Sequence, residues 1–307
     1  MRIVLIGQAA FGAKVLQSLV DSREEIVGVY TPPEIAGKTD PLKELATKLG
    51  VPSFQPVTMR NAEVYRQYSN LQPELNIMAF VTSIIPENIL IHPVLGTIQY
   101  HPSLLPAHRG GSAINWAIIN GELSTGISIF WPDAGIDTGP ILLQKQAEIT
   151  PEDTVGTLYF NKLFPLGVTA ILESIDLIKK GIAPRVPQDE AKATYEGLCT
   201  DSNTLINWEQ HASVIYNLIR GADPQPGAST WYGNLKLRLF SARLLSTDYT
   251  GFPGEIVELN DSGFVVSAQA GGILINRVRA EGSVKIAAAD YAKQAGIQIG
   301  TILGNRE

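Results

Sequence analysis

The chain has 307 residues, enough for two domains, with a formal charge of −6 and one cysteine, Cys199. An acidic balance argues against holding nucleic acid by bulk electrostatics. A lone cysteine leaves neither an intrachain disulfide framework nor a cysteine metal site, and it suits a reducing cytoplasm. No secretory pattern follows Met1-Arg2 and no apolar run is long enough to cross a bilayer, so a cytoplasmic protein without a membrane partner is expected.

Residues 2–6 form a continuous apolar strand, and Gly7-Gln8-Ala9-Ala10-Phe11-Gly12 turns into a helix that runs to Val20. The turn misses both nucleotide patterns. Ala13 stands between Gly12 and Lys14 where a P-loop has none, Val15 lacks the magnesium-binding hydroxyl, and position 9 is Ala where the dinucleotide fingerprint has glycine. No nucleotide cofactor is expected. Residues 26–31 read as a strand, 32–38 as a loop, and 40–49 as a helix capped by Asp40. Residues 52–55 make a short strand, 61–68 a polar helix and 75–80 a core strand, followed by the apolar loop Val81-Thr82-Ser83-Ile84-Ile85-Pro86.

Residues 96–100 read as a buried strand that delivers His101 into a proline-rich turn. A helix capped by Ser112 then covers 113–120 with Ile114, Ala117 and Ile118 on one face. A further strand, 126–131, ends in a glycine-rich loop carrying Asp133 and Asp137. Alternating strands and helices of these lengths imply an α/β fold with a Rossmann-like, mostly parallel sheet covered on both faces. Residues 154–181 look like one long amphipathic helix with a kink at Pro165. Beyond Leu205 come a helix over 212–220 and short strands at 235–240, 255–259, 263–267 and 272–278, which suggest a small OB-like β-barrel. The expected division is a catalytic domain over 1–185, a linker over 186–204 and a C-terminal domain over 205–307.

Open α/β sheets place reactive groups at the carboxyl ends of their strands. There the sequence offers one imidazole, His101, and one carboxylate, Asp137, a plausible acid–base pair. Asp133 is a second carboxylate, but Pro132-Asp133-Ala134-Gly135 is good turn chemistry. Ser103 has no nucleophile elbow and is assigned to hydrogen bonding within the turn. His108 reads as an exposed loop residue, and His92 and His211 as structural. No metal constellation is visible.

The run His101-x-Ser103-Leu104-Leu105-Pro106, then Arg109-Gly110, then Gly135-Ile136-Asp137-Thr138-Gly139 resembles the 10-formyltetrahydrofolate-dependent formyltransferases. Ser112-Ala113-Ile114-Asn115-Trp116 and Ser128-Ile129-Phe130-Trp131 are similar to its branch formed by the hydrolase domain of 10-formyltetrahydrofolate dehydrogenase. Ile219-Arg220-Gly221-x-x-Pro224-x-Pro226-Gly227 is similar to a segment of the family's barrel-like C-terminal domain. The resemblance implies an enzyme with 10-formyltetrahydrofolate as formyl donor. Of the family's Asn–His–Asp trio, His and Asp map onto His101 and Asp137; the Asn position is Gln99, one methylene longer.

Formyl transfer passes through a tetrahedral adduct, so it needs a donor for the oxyanion and a base for the attacker's proton. The expectation is that His101 serves the oxyanion as imidazolium, with Asp137 beside it stabilising that charged form. The resemblance places the pterin ring between two loops, with Phe80, Ile84 and Ile85 on one side and Pro132, Asp133 and Ala134 on the other. Arg109 is expected to meet an anionic group of donor or acceptor, or to form a salt bridge.

Three acceptors are open: water, a small amine and methionyl-tRNA. Residues 31–43 are short and hold only Lys38 and Lys43, where the resemblance leads one to expect a longer basic loop in a methionyl-tRNA formyltransferase. Hydrolysis or transfer to a small amine is therefore preferred, with transfer to methionyl-tRNA as the alternative and a non-catalytic folate-binding module as the second. The chain ends before any aldehyde-dehydrogenase domain, so oxidation with NADP is not expected.

Overall fold

The computed structural model describes residues 1–304 apart from 35, 36 and 248, so part of the expected 32–38 loop lies outside the described residues. Two compact units emerge. The first comprises Met1–Gly110, Gly126–Ala147 and Asn161–Tyr195; the second comprises Gly111–Thr125, Glu148–Phe160 and Glu196–Glu307.

Along the chain come β1 (Arg2–Gly7), α1 (Ala9–Asp21), β2 (Glu25–Tyr30), α2 (Pro41–Lys48), β3 (Ser53–Phe54), α3 (Ala62–Asn70), β4 (Leu75–Ala79), α4 (Glu87–Leu90), β5 (Thr97–His101), α5 (Ala113–Ile119), β6 (Ser124–Phe130) and β7 (Ile141–Glu148). The seven strands form one sheet in the order β3-β2-β1-β4-β5-β6-β7. β1 pairs parallel with β2 and β4, β2 with β3, and β4 with β5, whereas β6 runs antiparallel to β5. The order reverses direction between β1 and β4, which is where open α/β sheets leave a crevice.

Local chemistry explains most helix starts. Asp40 caps α2 by accepting from Leu42 N at 2.8 Å, and its other oxygen takes the first N–H of α1, Ala9 N, also at 2.8 Å. Asn61 caps α3 in the same manner. Ser112 does not cap α5: it sits in the left-handed region at φ 64, and its Oγ accepts instead from Cys199 N. Phe11 of α1 is buried against Tyr100, with ring centroids 4.3 Å apart, while Tyr30, Tyr68 and Met78 belong to a separate core cluster with Ile85 and Ile89.

The expected helix over 154–181 is present as one continuous run, Val155–Lys179, with an irregular turn near its start. α6 (Val155–Leu158) starts from a Thr154/Thr157 capping box, a π-helical turn covers Tyr159–Leu163, and α7 (Phe164–Lys179) follows. Pro165 lies just after this turn within the continuous run, so the irregularity expected at the proline sits in the turn before it, where the ring and the missing N–H disturb the helix. The run Val155–Lys179 is long and apolar enough to span a membrane by length and composition, with mean hydropathy 1.3, contrary to the sequence expectation. Here the inward stripe of α7, including Ala170, Ile171 and Ile175, is buried and α7 packs on α1, as a core helix does.

The second unit holds α8 (Ala212–Gly221), β8 (Ala228–Tyr232), β9 (Leu235–Leu245), β10 (Ile256–Asn260), β11 (Gly263–Ala268), β12 (Gly271–Ala280), β13 (Ile286–Ala287) and α9 (Ala288–Ala295). The strands form an antiparallel sheet ordered β10-β11-β12-β9-β8, with β13 beside β12. Residues 300–304 bond to Ile256 and Gly254 on one side and to the carbonyl of Trp231 on the other. This tail bridges the two end strands, giving the sheet its barrel-like closure. Its core gathers Trp208, Ile215, Leu239, Phe264, Ile273 and Val278.

Candidate active site

β5 sets the site. Its side chains alternate, so Tyr100 enters the core and His101, the last strand residue, closes the strand's carboxyl end nearly buried. A tight turn follows: Ser103 Oγ donates to Ala107 O at 2.6 Å, and Ser128 Oγ donates to Ser103 O at 2.7 Å. Ser103 therefore has the turn role its sequence context gave it. His108 is buried, not exposed as expected, and sits at φ 56. That turn aims its carbonyl back at His101, 2.8 Å from Nε2.

Because β6 is antiparallel to β5, the chain must fold back after Phe130 to bring a carboxylate to His101. Trp131 N donates to Pro140 O, closing the loop. Gly139 permits the close crossing, since a Cβ there would stand 1.8 Å from Trp131 O. Asp133 shapes the tip, accepting from Gly135 N at 3.0 Å and Thr138 Oγ1 at 2.6 Å, and stays exposed. Asp137, at φ 55, points inward. Its Oδ2 accepts from Gly110 N at 2.9 Å and lies 3.5 Å from His101 Nδ1, and its Oδ1 accepts from Gln99 Nε2 at 3.4 Å. The structure thus brings together the three residues His101, Asp137 and Gln99.

The tautomer follows from the partners. A carbonyl only accepts, so His101 Nε2 carries a proton, and Nδ1 is left to face the carboxylate. Burial pushes His101 below the ordinary imidazole value; the Asp137 charge and the His108 carbonyl pull it up, and desolvation outweighs them. Removing water costs the ring's charged form more than one carboxylate at 3.5 Å returns, which works against the imidazolium that the sequence reading expects. A neutral ring then presents a lone pair beside a carboxylate, a place where one proton can be received and shared.

Arg109 is buried and its guanidinium is spent within the protein. It meets both Glu190 oxygens, at 2.8 and 2.7 Å, and donates twice to Gln188 Oε1. Gln188 was hidden in a stretch that reads as linker. Phe80, Ile84 and Ile85 line a cavity of about 310 Å³ together with the β1–α1 turn, the end of β2 and residues 56–60. Pro132, Asp133 and Ala134 are not among the residues lining that cavity. Tyr30 and Thr31 also line it, and their enclosed hydroxyls have no hydrogen-bond partner among the described residues. His92 pairs with Tyr65, and His211 caps α8. Among the described residues no group of three His, Cys, Asp or Glu side chains suits a metal ion.

Residues 1–173 match the formyl transferase family, and residues 199–296 match the formyl transferase C-terminal domain. The chain is 44% identical to human mitochondrial 10-formyltetrahydrofolate dehydrogenase over 264 residues, 84% of this chain and 28% of that protein. It therefore spans less than a third of that relative's length. It is 34% identical to methionyl-tRNA formyltransferase of Alkaliphilus oremlandii, covering 99% of this chain and 100% of that one. In fold it is similar to HypX from Aquifex aeolicus, solved in complex with tetrahydrofolic acid, with a TM-score of 0.71 at 21% identity over 97% of this chain and 48% of that one. With its signature residues assembled at the end of β5 and both halves of the chain matched, this protein is a member of the formyl transferase family.

Proposed function

We propose that this enzyme takes the formyl group of 10-formyltetrahydrofolate and passes it to water, releasing formate and tetrahydrofolate. The observation that carries the reading is the buried His101–Asp137 pair, standing in the family's own sequence pattern. Water adds to the formyl carbon through its oxygen, and the proton it loses is taken by Asp137 Oδ2, which stands 3.5 Å from His101 Nδ1 and can share it with that nitrogen. Collapse of the tetrahedral adduct breaks the bond from carbon to N10, and the shared proton is returned to that nitrogen. Gln99 steadies Asp137 through Oδ1. For His101 to serve the oxyanion as well, its Nε2–H has to leave the His108 carbonyl.

Phe80, Ile84, Ile85, Pro132, Asp133 and Ala134 are assigned to the pterin. Phe80 and Ile84 are exposed large apolar side chains on one loop, the kind of surface a flat heterocycle covers. Residues 1–185 are assigned to catalysis, 186–204 to a linker and 205–307 to a C-terminal domain, in a cytoplasmic setting. A second reading, transfer to methionyl-tRNA, is supported by the full-length similarity to the bacterial methionyl-tRNA formyltransferase.

The test is incubation of the full chain with 10-formyltetrahydrofolate, alone and with methionyl-tRNA. Formate produced without an added amine supports hydrolysis. Formylmethionine on the tRNA with no free formate moves the assignment to the second reading, and folate binding without turnover leaves only a binding module.

A further inference from the structure

Gln188 uses its whole carboxamide. Its Nε2 donates to Asp137 O at 2.8 Å and to Gly139 O at 2.7 Å, and its Oε1 accepts from Arg109 Nε at 3.1 Å and Nη2 at 2.8 Å. Two donors and two acceptor positions are all that an amide has. Only one orientation of the group fits, because the reverse would set N–H against guanidinium N–H. Arg109 is itself held by the two-oxygen contact with Glu190.

These contacts join the two loops that carry the chemistry. In 108–110, three consecutive residues each have a task. His108 O holds the His101 ring, Arg109 orients Gln188, and Gly110 N binds the Asp137 carboxylate. In 137–139, Gln188 grips the backbone on both sides of Thr138. Asp137 adopts a left-handed φ of 55, a region that Asp enters more readily than most residues but that still carries some strain. Its carboxylate is fixed by Gly110 and its main chain by Gln188.

The strap bearing Gln188 is anchored independently of it. Val186 exchanges two backbone bonds with Ile141, and Thr194 bonds to Pro106 O, Arg109 N and His108 N. Replacing one side chain between these anchors leaves the strap in place.

We propose that Gln188 is a positioning residue for formyl transfer, locking the Asp137 loop against the His108–Gly110 turn so that the carboxylate faces His101 Nδ1. The proposal rests on the reading of His101 and Asp137 as the proton-handling pair. It assigns a task to a segment that has no part in the family's signature motif.

The test uses Gln188→Ala, Gln188→Glu and Glu190→Gln in the full chain. Turnover of 10-formyltetrahydrofolate is measured with its pH profile, alongside an NMR titration of the His101 ring. Loosening Asp137 is expected to lower kcat by about 10- to 100-fold in the Gln188 variants, with KM for the folate changed by less than about 3-fold, the scale for a misplaced catalytic group. Glu190→Gln, altered at an exposed side chain, is expected to lower kcat by a smaller factor in the same direction. In Gln188→Ala the His101 titration should move lower as the carboxylate's support weakens. Wild-type kcat and an unmoved His101 titration in the Gln188 variants overturn the proposal. If the wild-type chain turns over no folate at all, the reaction reading fails by itself, and the NMR titration still decides whether Gln188 positions Asp137.

Discussion

His101 gives its Nε2–H to the carbonyl of His108 at 2.8 Å, and this bond turns Nδ1 toward Asp137. Both ring nitrogens are thereby assigned before any substrate arrives. Asp137→Asn keeps the shape of the loop and replaces the carboxylate with an amide that can no longer accept and hold a proton. Turnover should fall by about 100-fold or more, the usual scale for one acid–base group, with folate binding close to wild type. Single-turnover measurement of formate release checks this; retention of more than about a tenth of the wild-type rate would remove Asp137 from the proposed mechanism.

The same burial makes the fold sensitive to acid. An imidazole in the unfolded chain titrates near about 6.5, and His101 in the folded protein is held below that value by desolvation. Between the two values the unfolded chain binds the extra proton. Stability from this group is therefore complete above about pH 6.5 and is lost as the pH falls below it. Urea denaturation at pH 8 and pH 5 should show a larger loss for the wild-type chain than for His101→Asn. Equal losses in the two chains would mean that His101 titrates alike folded and unfolded.

The parts of the site carried by residue type were legible in the sequence; those carried by backbone direction were not. His101 and Asp137 stand out because a strand end and a glycine-rich loop announce them. Nothing in His108-Arg109-Gly110 indicates that a left-handed φ will bury the second histidine and aim its carbonyl at the first. Gln188 lies in polar, proline-bearing text with no period, since the strap is held by isolated bridges at Val186 and Tyr195. β7 is different. Its last six residues alternate half-buried and exposed, but the half-buried positions are Leu143, Lys145 and Ala147, so the lysine breaks the apolar alternation by which a strand is read. β8 and α9 were missed as short elements stabilised by the sheet they join. Ser112 had the residue type of a cap, and tertiary structure used its hydroxyl elsewhere.

Tyr30 offers a test of stability read from unfolding and not from turnover. Its ring is buried near Phe54 and Tyr68, while its enclosed hydroxyl has no hydrogen-bond partner among the described residues. Burial alone pushes that phenol far above its ordinary value. Tyr30→Phe keeps the ring and removes the enclosed polar atom, so it should stabilise the fold by about 1 kcal/mol, the lower end of the cost of an unsatisfied buried group. Urea midpoints at constant slope decide the matter. A variant less stable than wild type would show that the hydroxyl gains a partner in solution.

Gly139 links fold and activity most directly. A Cβ added there would stand 1.8 Å from Trp131 O and 2.9 Å from the carbon of that carbonyl, both main-chain atoms that cannot rotate away. Gly139→Ala must therefore open the loop where Trp131 N meets Pro140 O, and it also strains the Gln188 bond to Gly139 O. Stability should fall by about 1–3 kcal/mol, as for other overpacked sites. Asp137, two residues away, should lose its place opposite His101, so kcat should fall as well, by about 100-fold if the carboxylate shifts by an ångström. Gly197→Ala is the control, because nothing lies within 4 Å of a Cβ there and its φ is not positive. That variant should stay within about 0.5 kcal/mol of wild type at full turnover. Thermal unfolding and kcat measured on both proteins separate the crossing from a general intolerance of added methyl groups: if Gly139→Ala matches Gly197→Ala in both, the tight crossing does not hold Asp137 in place.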